Sequence, residues 1–179
     1  GFSIAGKRIV DDERNKLYKG FVRMVAYFKP RAFVMENVPN ILSIGGGVVK
    51  QSILEDFQEL GYNVETKVLL ASDYGVPQNR RRAVFVGLYN GVFDFNIPTV
   101  EHKVTTEEAL GDLSEESIAD KSSYPIAPSC DYQRLMRANS NEVWNHDITQ
   151  HNEQTKRIIA LVPDGGNYKN LPHELQQTR

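Results

Sequence analysis

Two short stretches of this sequence carry residue types that could do chemistry. The first is "FVMENVPN", residues 33–40, where three apolar side chains run directly into Glu36 and Asn37 before Pro39 breaks the regularity. A segment that starts as a buried strand and ends on a charge places that charge at the strand's carboxyl end. In an open α/β sheet those ends line the crevice where ligands sit. A carboxylate there can accept a hydrogen bond from an amino group or share a proton with a ring nitrogen. Capping a loop, or pairing with a nearby arginine, is the plainer alternative for Glu36. The second stretch is "PQNRRRAVFVG", residues 77–87. In an extended segment Gln78, Arg80 and Arg82 share one face, and Asn79 and Arg81 take the other. Two guanidiniums and an amide together form a donor array suited to a phosphate or to a base carbonyl oxygen. A solvated basic edge is the competing reading.

The remaining candidates are weaker. "GGGVVK", residues 45–50, has neither a Gly-Lys-Ser/Thr end nor G-x-G-x-x-G spacing, and reads as a flexible connection. His102, His146, His151 and His173 have no Cys or His partner at metal-ligand spacing, so no metal site is expected. Cys130, the single cysteine, has no local base beside it and reads as a plain thiol.

Recognisable elements must position these groups. Leu17, Phe21, Met24, Val25 and Phe28 recur at three- and four-residue steps, predicting an amphipathic helix from about Asp12, capped by Asp11 or Asp12 and stopped by Pro30. A short strand over 32–36 follows. Val49, Ile53, Phe57 and Leu60 predict a second helix, with Gly61 at its C-terminal cap. Residues 62–71 and 83–89 read as strands close enough in sequence to pair antiparallel. This order argues for an α/β sheet covered by helices, in a catalytic domain over residues 1–95. Residues 96–123 are polar and acidic and read as a linker holding one short helix near 105–113. Residues 124–179 read as the start of a second, irregular domain.

The chain has 179 residues, 40% of them hydrophobic and 25% charged, which is the composition of a globular protein. No apolar run approaches the ~20 residues of a membrane span, and the first residues lack a secretory signal. One cysteine excludes an internal disulfide and fits a reducing cytoplasm. A net charge of −2 announces no nucleic-acid partner, so any such claim must rest on local clusters.

Taken together, the segments are familiar. "FVMENVPNIL" resembles the Glu-Asn-Val motif of the DNA cytosine-5 methyltransferases, and "ASDYGVPQNRRRAVFVG" resembles their Gln-x-Arg-x-Arg motif. "GFSIAGKRIVDDERNKL" is similar to the family's segment after the Pro-Cys-Gln nucleophile motif, and "VPDGGNYKNLP" is similar to its target-recognition regions. The resemblance implies a Rossmann-like sheet that uses S-adenosylmethionine to methylate a flipped cytosine in double-stranded DNA, in a bacterial restriction–modification system. It implies that Glu36 holds the cytosine amino group and ring nitrogen, that Asn37 braces the nucleophile loop, and that Arg82 donates to the carbonyl. Arg80 and Gln78 would organise the pocket and a phosphate, Ser3 would lie near a phosphate, and Leu17 would touch the cofactor adenine. Gly165, Gly166 and Asn167 would contact DNA.

The sequence lacks the Pro-Cys-Gln and the Gly-rich cofactor motifs. The chain is therefore expected to be a piece of a monomeric enzyme, inactive alone and prone to self-association through an exposed sheet edge. A non-catalytic DNA-binding module, one subunit of a split methyltransferase, and an unrelated α/β enzyme acting on a phosphorylated substrate are the alternatives.

Overall fold

In the structure, a computed structural model that describes residues 17–176, the first helix, α1, spans Tyr18–Phe28. Lys29 ends it in a left-handed conformation, its N–H reaching Val25 O at 2.9 Å, and Pro30 cannot continue it. The caps expected at Asp11 or Asp12 lie outside the described residues. Strand β1 (Ala32–Asn37), helix α2 (Val48–Glu59), and strands β2 (Asn63–Leu70) and β3 (Arg81–Leu88) follow within a residue or two of their expected places.

Between β1 and α2 the three glycines are not the loose connection expected. Gly45, Gly46 and Gly47 take φ values of 63°, 67° and 95°, and so form a tight left-handed entry into the helix. Side chains rarely tolerate three such residues in a row, which explains the composition.

The three strands form one sheet in the order β1-β3-β2, with β3 antiparallel to both neighbours. The expected antiparallel pairing of the last two strands is observed. Register follows from burial: Phe33 and Met35 are buried while Ala32, Val34 and Glu36 are exposed. Phe33 stands opposite Gly87, and Met35 opposite Phe85. A one-residue slip would turn Phe33 and Met35 out to solvent.

Both helices pack on the face that carries Phe33, Met35, Ala83 and Phe85, giving a core with Val25, Ile53 and Phe57. Ile53, Phe57 and Phe85 are wholly buried. Each contributes roughly 1.5–3 kcal/mol by leaving water. Phe33 is the centre of the cluster, its ring 4.2 Å from that of Phe57, 5.3 Å from Tyr62 and 5.7 Å from Phe21. It fits because residue 87 is glycine: a Cβ there would run into the Phe33 ring. Tyr62 closes the cluster by donating to Pro30 O at 2.7 Å.

The chain divides into two compact units, Gly1–Leu110 and Gly111–Arg179. Residues 96–123, expected as a linker, are shared between them. In the first unit Val100 N donates to Asp73 O, Lys103 pairs with Asp73 at 2.6 Å, and a short helix, α3 (Thr106–Leu110), begins on a reciprocal cap between Thr105 and Glu108. The polar residues that suggested a linker are thus spent on caps and ion pairs.

The second unit is built on short elements: β4 (Ser122–Ser123), α4 (Asp131–Arg137), β5 (Glu142–Val143) and α5 (Glu153–Ala160). Strands β4 and β5 pair antiparallel. Its polar centre is Asp112, whose fully buried carboxylate accepts from Arg137 Nε and Nη2 at 2.8 Å each. The Arg137 guanidinium lies 3.8 Å over the Tyr124 ring. A bidentate pair satisfies the buried charge that would otherwise be costly here.

Candidate functional site

Glu36 is the last residue of β1 to point out of the exposed face. In the ladder it stands opposite Val84, so Arg82, two residues before Val84 on β3, is its diagonal neighbour on the same face. The side chains meet: Arg82 Nε lies 2.5 Å from Glu36 Oε1. Arg82 Nη1 donates to its neighbour's carbonyl, Arg81 O, at 2.8 Å, which fixes the plane of the guanidinium. Among the described residues, Glu36 Oε2 and Arg82 Nη2 have no further partner. The Glu36 side chain is 53% exposed and that of Arg82 22%. An acceptor and a donor therefore stand side by side at the mouth of the sheet, open to one edge of a planar heterocycle.

Asn37 lies on the opposite face, against Ala83. Its Oδ1 accepts from Val38 N at 2.8 Å, and a single turn of 3-10 helix, Pro39–Leu42, follows. The amide thus governs how the chain leaves β1 and turns away from Glu36.

The arginine segment departs from simple alternation. Gln78 N donates to Val76 O at 2.7 Å, and Arg80 N to Gln78 O at 2.8 Å. These are two successive three-residue turns, and the extended chain begins only at Arg81. The common face expected for Gln78, Arg80 and Arg82 is therefore not formed. Gln78 lines a cavity of about 310 Å³ with Ser72, Lys103 and Thr106. Arg82 lines a second cavity, of about 490 Å³, with Val38, Pro39, Asn40, Val68, Asn79 and Arg81. Arg81, expected on the opposite face, shares this space with Arg82 because the cavity lies at the end of the sheet, reachable from either face. The signal was present in "GVPQ", whose proline makes a turn more natural than a strand. Arg80 is exposed, and its carbonyl accepts from Ala71 N at 2.9 Å.

The other expected residues fall elsewhere. Leu17, at the start of α1, is 72% exposed. Ser3 lies outside the described residues. Gly165, Gly166 and Asn167 belong to the second unit. Gly165 has φ 71°, which favours glycine, and a Cβ on Gly166 would come within 2.8 Å of Pro163 O, which leaves it no room. Asn167 Oδ1 accepts from Lys169 N at 3.0 Å, and Asn167 N donates to Asn170 Oδ1 at 3.0 Å. Its side-chain oxygen is thus used within its own turn. Cys130 sits at the N-cap of α4.

Shifted ionisations in the first unit belong to supporting contacts. The Thr105 backbone N–H, and then His102, hold the Glu108 carboxyl below the usual carboxylate range. Burial raises the Tyr62 phenol. Burial and then Asp56 raise the Tyr18 phenol, while Asp56 raises the Lys19 amine. Among the described residues, no cluster of three or more His, Cys, Asp or Glu could hold a metal ion. No helix among them is long and apolar enough to cross a membrane.

The family described as C-5 cytosine-specific DNA methylase matches residues 1–177. The chain is 38% identical to the Type II methyltransferase M.DdeI of Desulfomicrobium norvegicum, covering 100% of this chain and 46% of that protein. It is 48% identical to M.BspRI of Lysinibacillus sphaericus over 64% of this chain and 29% of the relative. This chain thus spans under half the length of either. A crystal structure of a prophage-encoded DNA modification methyltransferase from E. coli superposes with a TM-score of 0.63 at 23% identity, over 85% of this chain and 51% of that one. That likeness gives the fold: the mixed α/β arrangement is part of a methyltransferase fold.

Proposed function

This chain belongs to the C-5 cytosine-specific DNA methylase family, and from that premise we propose that the protein it forms part of methylates carbon 5 of a cytosine flipped out of duplex DNA. It would act in the cytoplasm as the methyltransferase of a restriction–modification system. The observation that carries this reading is the contact between Glu36 and Arg82 at the carboxyl end of β1.

Carbon 5 of cytosine is a poor nucleophile until a thiolate adds at carbon 6, and that addition is easier when the ring nitrogen gains a proton. Glu36, through Oε2, accepts from the exocyclic amino group and shares a proton with the ring nitrogen. Arg82, through Nη2, donates to the ring carbonyl while its Nε keeps the carboxylate aligned. Asn37 sets the exit of β1 and so the angle at which Glu36 is presented. A base inside a duplex cannot reach such a pair, which is why the nucleotide must be extruded. Cys130 takes no part, and the attacking thiolate comes from outside this sequence. The methyl group is that of S-adenosylmethionine, and Leu17, an apolar side chain left exposed at the start of α1, suits contact with its adenine ring.

Bisulfite sequencing of DNA from cells expressing the intact gene tests the proposal. Protected cytosines within one recurring sequence support it, and uniform conversion overturns it.

A further inference from the structure

The cavity of about 490 Å³ at the end of the sheet holds two guanidiniums of unequal availability. Arg82 is committed: its charge is paired with Glu36, and one of its terminal nitrogens donates to Arg81 O. Arg81 is not. It is exposed, and no carboxylate among the described residues pairs with it. Val38, Pro39, Asn40, Val68 and Asn79 complete the lining, which includes no acidic side chain. The Glu36 carboxylate is already paired with Arg82. The result is a pocket with an uncompensated positive charge and an adjacent amide, beside a paired acceptor and donor. The Arg81 backbone is held opposite Leu70 in the ladder, which fixes where its side chain leaves the strand.

We propose that Arg81, with Asn79, holds a DNA backbone phosphate next to the nucleotide engaged by Glu36 and Arg82. The inference rests on the function proposed above and extends it to a residue that the Gln-x-Arg-x-Arg pattern leaves unspecified. A guanidinium presents a planar fork that matches two phosphate oxygens, and an amide N–H can take a third. The cavity is larger than a pyrimidine needs, which leaves room for the sugar and its phosphate. In this arrangement Arg81 positions the nucleotide and does not touch the reacting atoms.

The test uses the full-length protein and a duplex containing its recognition site, with binding followed by fluorescence anisotropy across a salt titration. Each phosphate contact contributes about 0.9 to the slope of log K against log salt. Arg81→Ala is expected to lower the slope by about that amount and weaken binding. Arg81→Lys, which keeps the charge, should restore most of the slope. Arg31→Ala, at the opposite end of the sheet, controls for general loss of positive charge and should leave it unchanged. In turnover, Arg81→Ala should raise KM for DNA with little change in kcat. A slope for Arg81→Ala equal to that of the parent, or lowered no more than by Arg31→Ala, overturns the proposal. If Glu36→Gln still abolishes methyl transfer in that case, the Arg81 assignment alone has failed. A full-length protein that neither binds the duplex nor transfers methyl overturns both.

Discussion

Arg82 Nε stands 2.5 Å from Glu36 Oε1, across two antiparallel strands that share one exposed face. The contact needs three things at once: a carboxylate near the end of β1, β3 lying beside it in a single register, and Arg82 falling on the same side as Glu36. Each residue thereby gains a partner and retains one atom for a ligand. This is a preorganised pair, and its consequences can be measured.

Glu36→Gln keeps the size of the side chain and can still accept a hydrogen bond, but it cannot share a proton with a ring nitrogen. In the full-length enzyme, methyl transfer is expected to fall by about a hundredfold or more, the usual scale of general acid–base assistance. DNA binding should persist. Transfer of labelled methyl to a duplex gives the rate, and near-parental turnover would remove Glu36 from the role assigned to it.

Arg82→Ala deletes both the carbonyl donor and the only partner of Glu36 found among the described residues. A loss in kcat of roughly a hundredfold is expected, as for other single donors aimed at developing charge. Arg82→Lys should recover little, because one ammonium cannot serve Glu36 and a carbonyl in the same plane. The comparison with Arg81→Ala is decisive: equal losses in kcat would mean that the two arginines do not divide their work between chemistry and positioning.

Gly87→Ala places a methyl group against the ring of Phe33, in the centre of the first unit's core. Overpacking of this kind costs about 1–3 kcal/mol. A lowered midpoint in thermal or urea unfolding is expected. Combining it with Phe33→Leu should cost less than the sum of the two changes, because the smaller side chain vacates the contested space. Strict additivity would show that the two positions do not meet.

The cap on α3 should respond to acid. Glu108 has its carboxyl held below the usual range, chiefly by the Thr105 N–H, so its contribution to stability is present above its unfolded pKa. That contribution is lost as pH falls through the folded value. Glu108→Gln, whose amide can still accept from the same N–H, removes this pH dependence. Unfolding midpoints of the two proteins should therefore converge at low pH and separate towards neutrality. A constant difference from acid to neutral pH would rule out a titrating cap.

Much of the first unit was legible because its signals are local. The three- and four-residue steps of α1 and α2, the run of apolar residues before Glu36, and Gly61 after α2 each depend on neighbours in sequence. The second unit was harder to read. Its stabilising contacts, Asp112 with Arg137 and the Ile118–His146 bridge, join residues far apart in the chain and leave no periodicity. The polar residues within 96–123 were hard to read for the same reason: Lys103, Thr105 and Glu108 look like solvated side chains until their partners are known.

The amino-acid sequence by itself placed Glu36 near the end of one strand and a cluster of arginines at the approach to another, because strand character and its termination are written in adjacent residues. Only the tertiary structure decided that Glu36 meets Arg82, that Gln78 turns into a different cavity, and that Arg81 joins Arg82 at the end of the sheet. Those outcomes depend on strand register and on two backbone turns that interrupt the alternation. Hydrogen bonds between distant segments set the register, and bonds between residues two apart set the turns, so simple alternation reports neither.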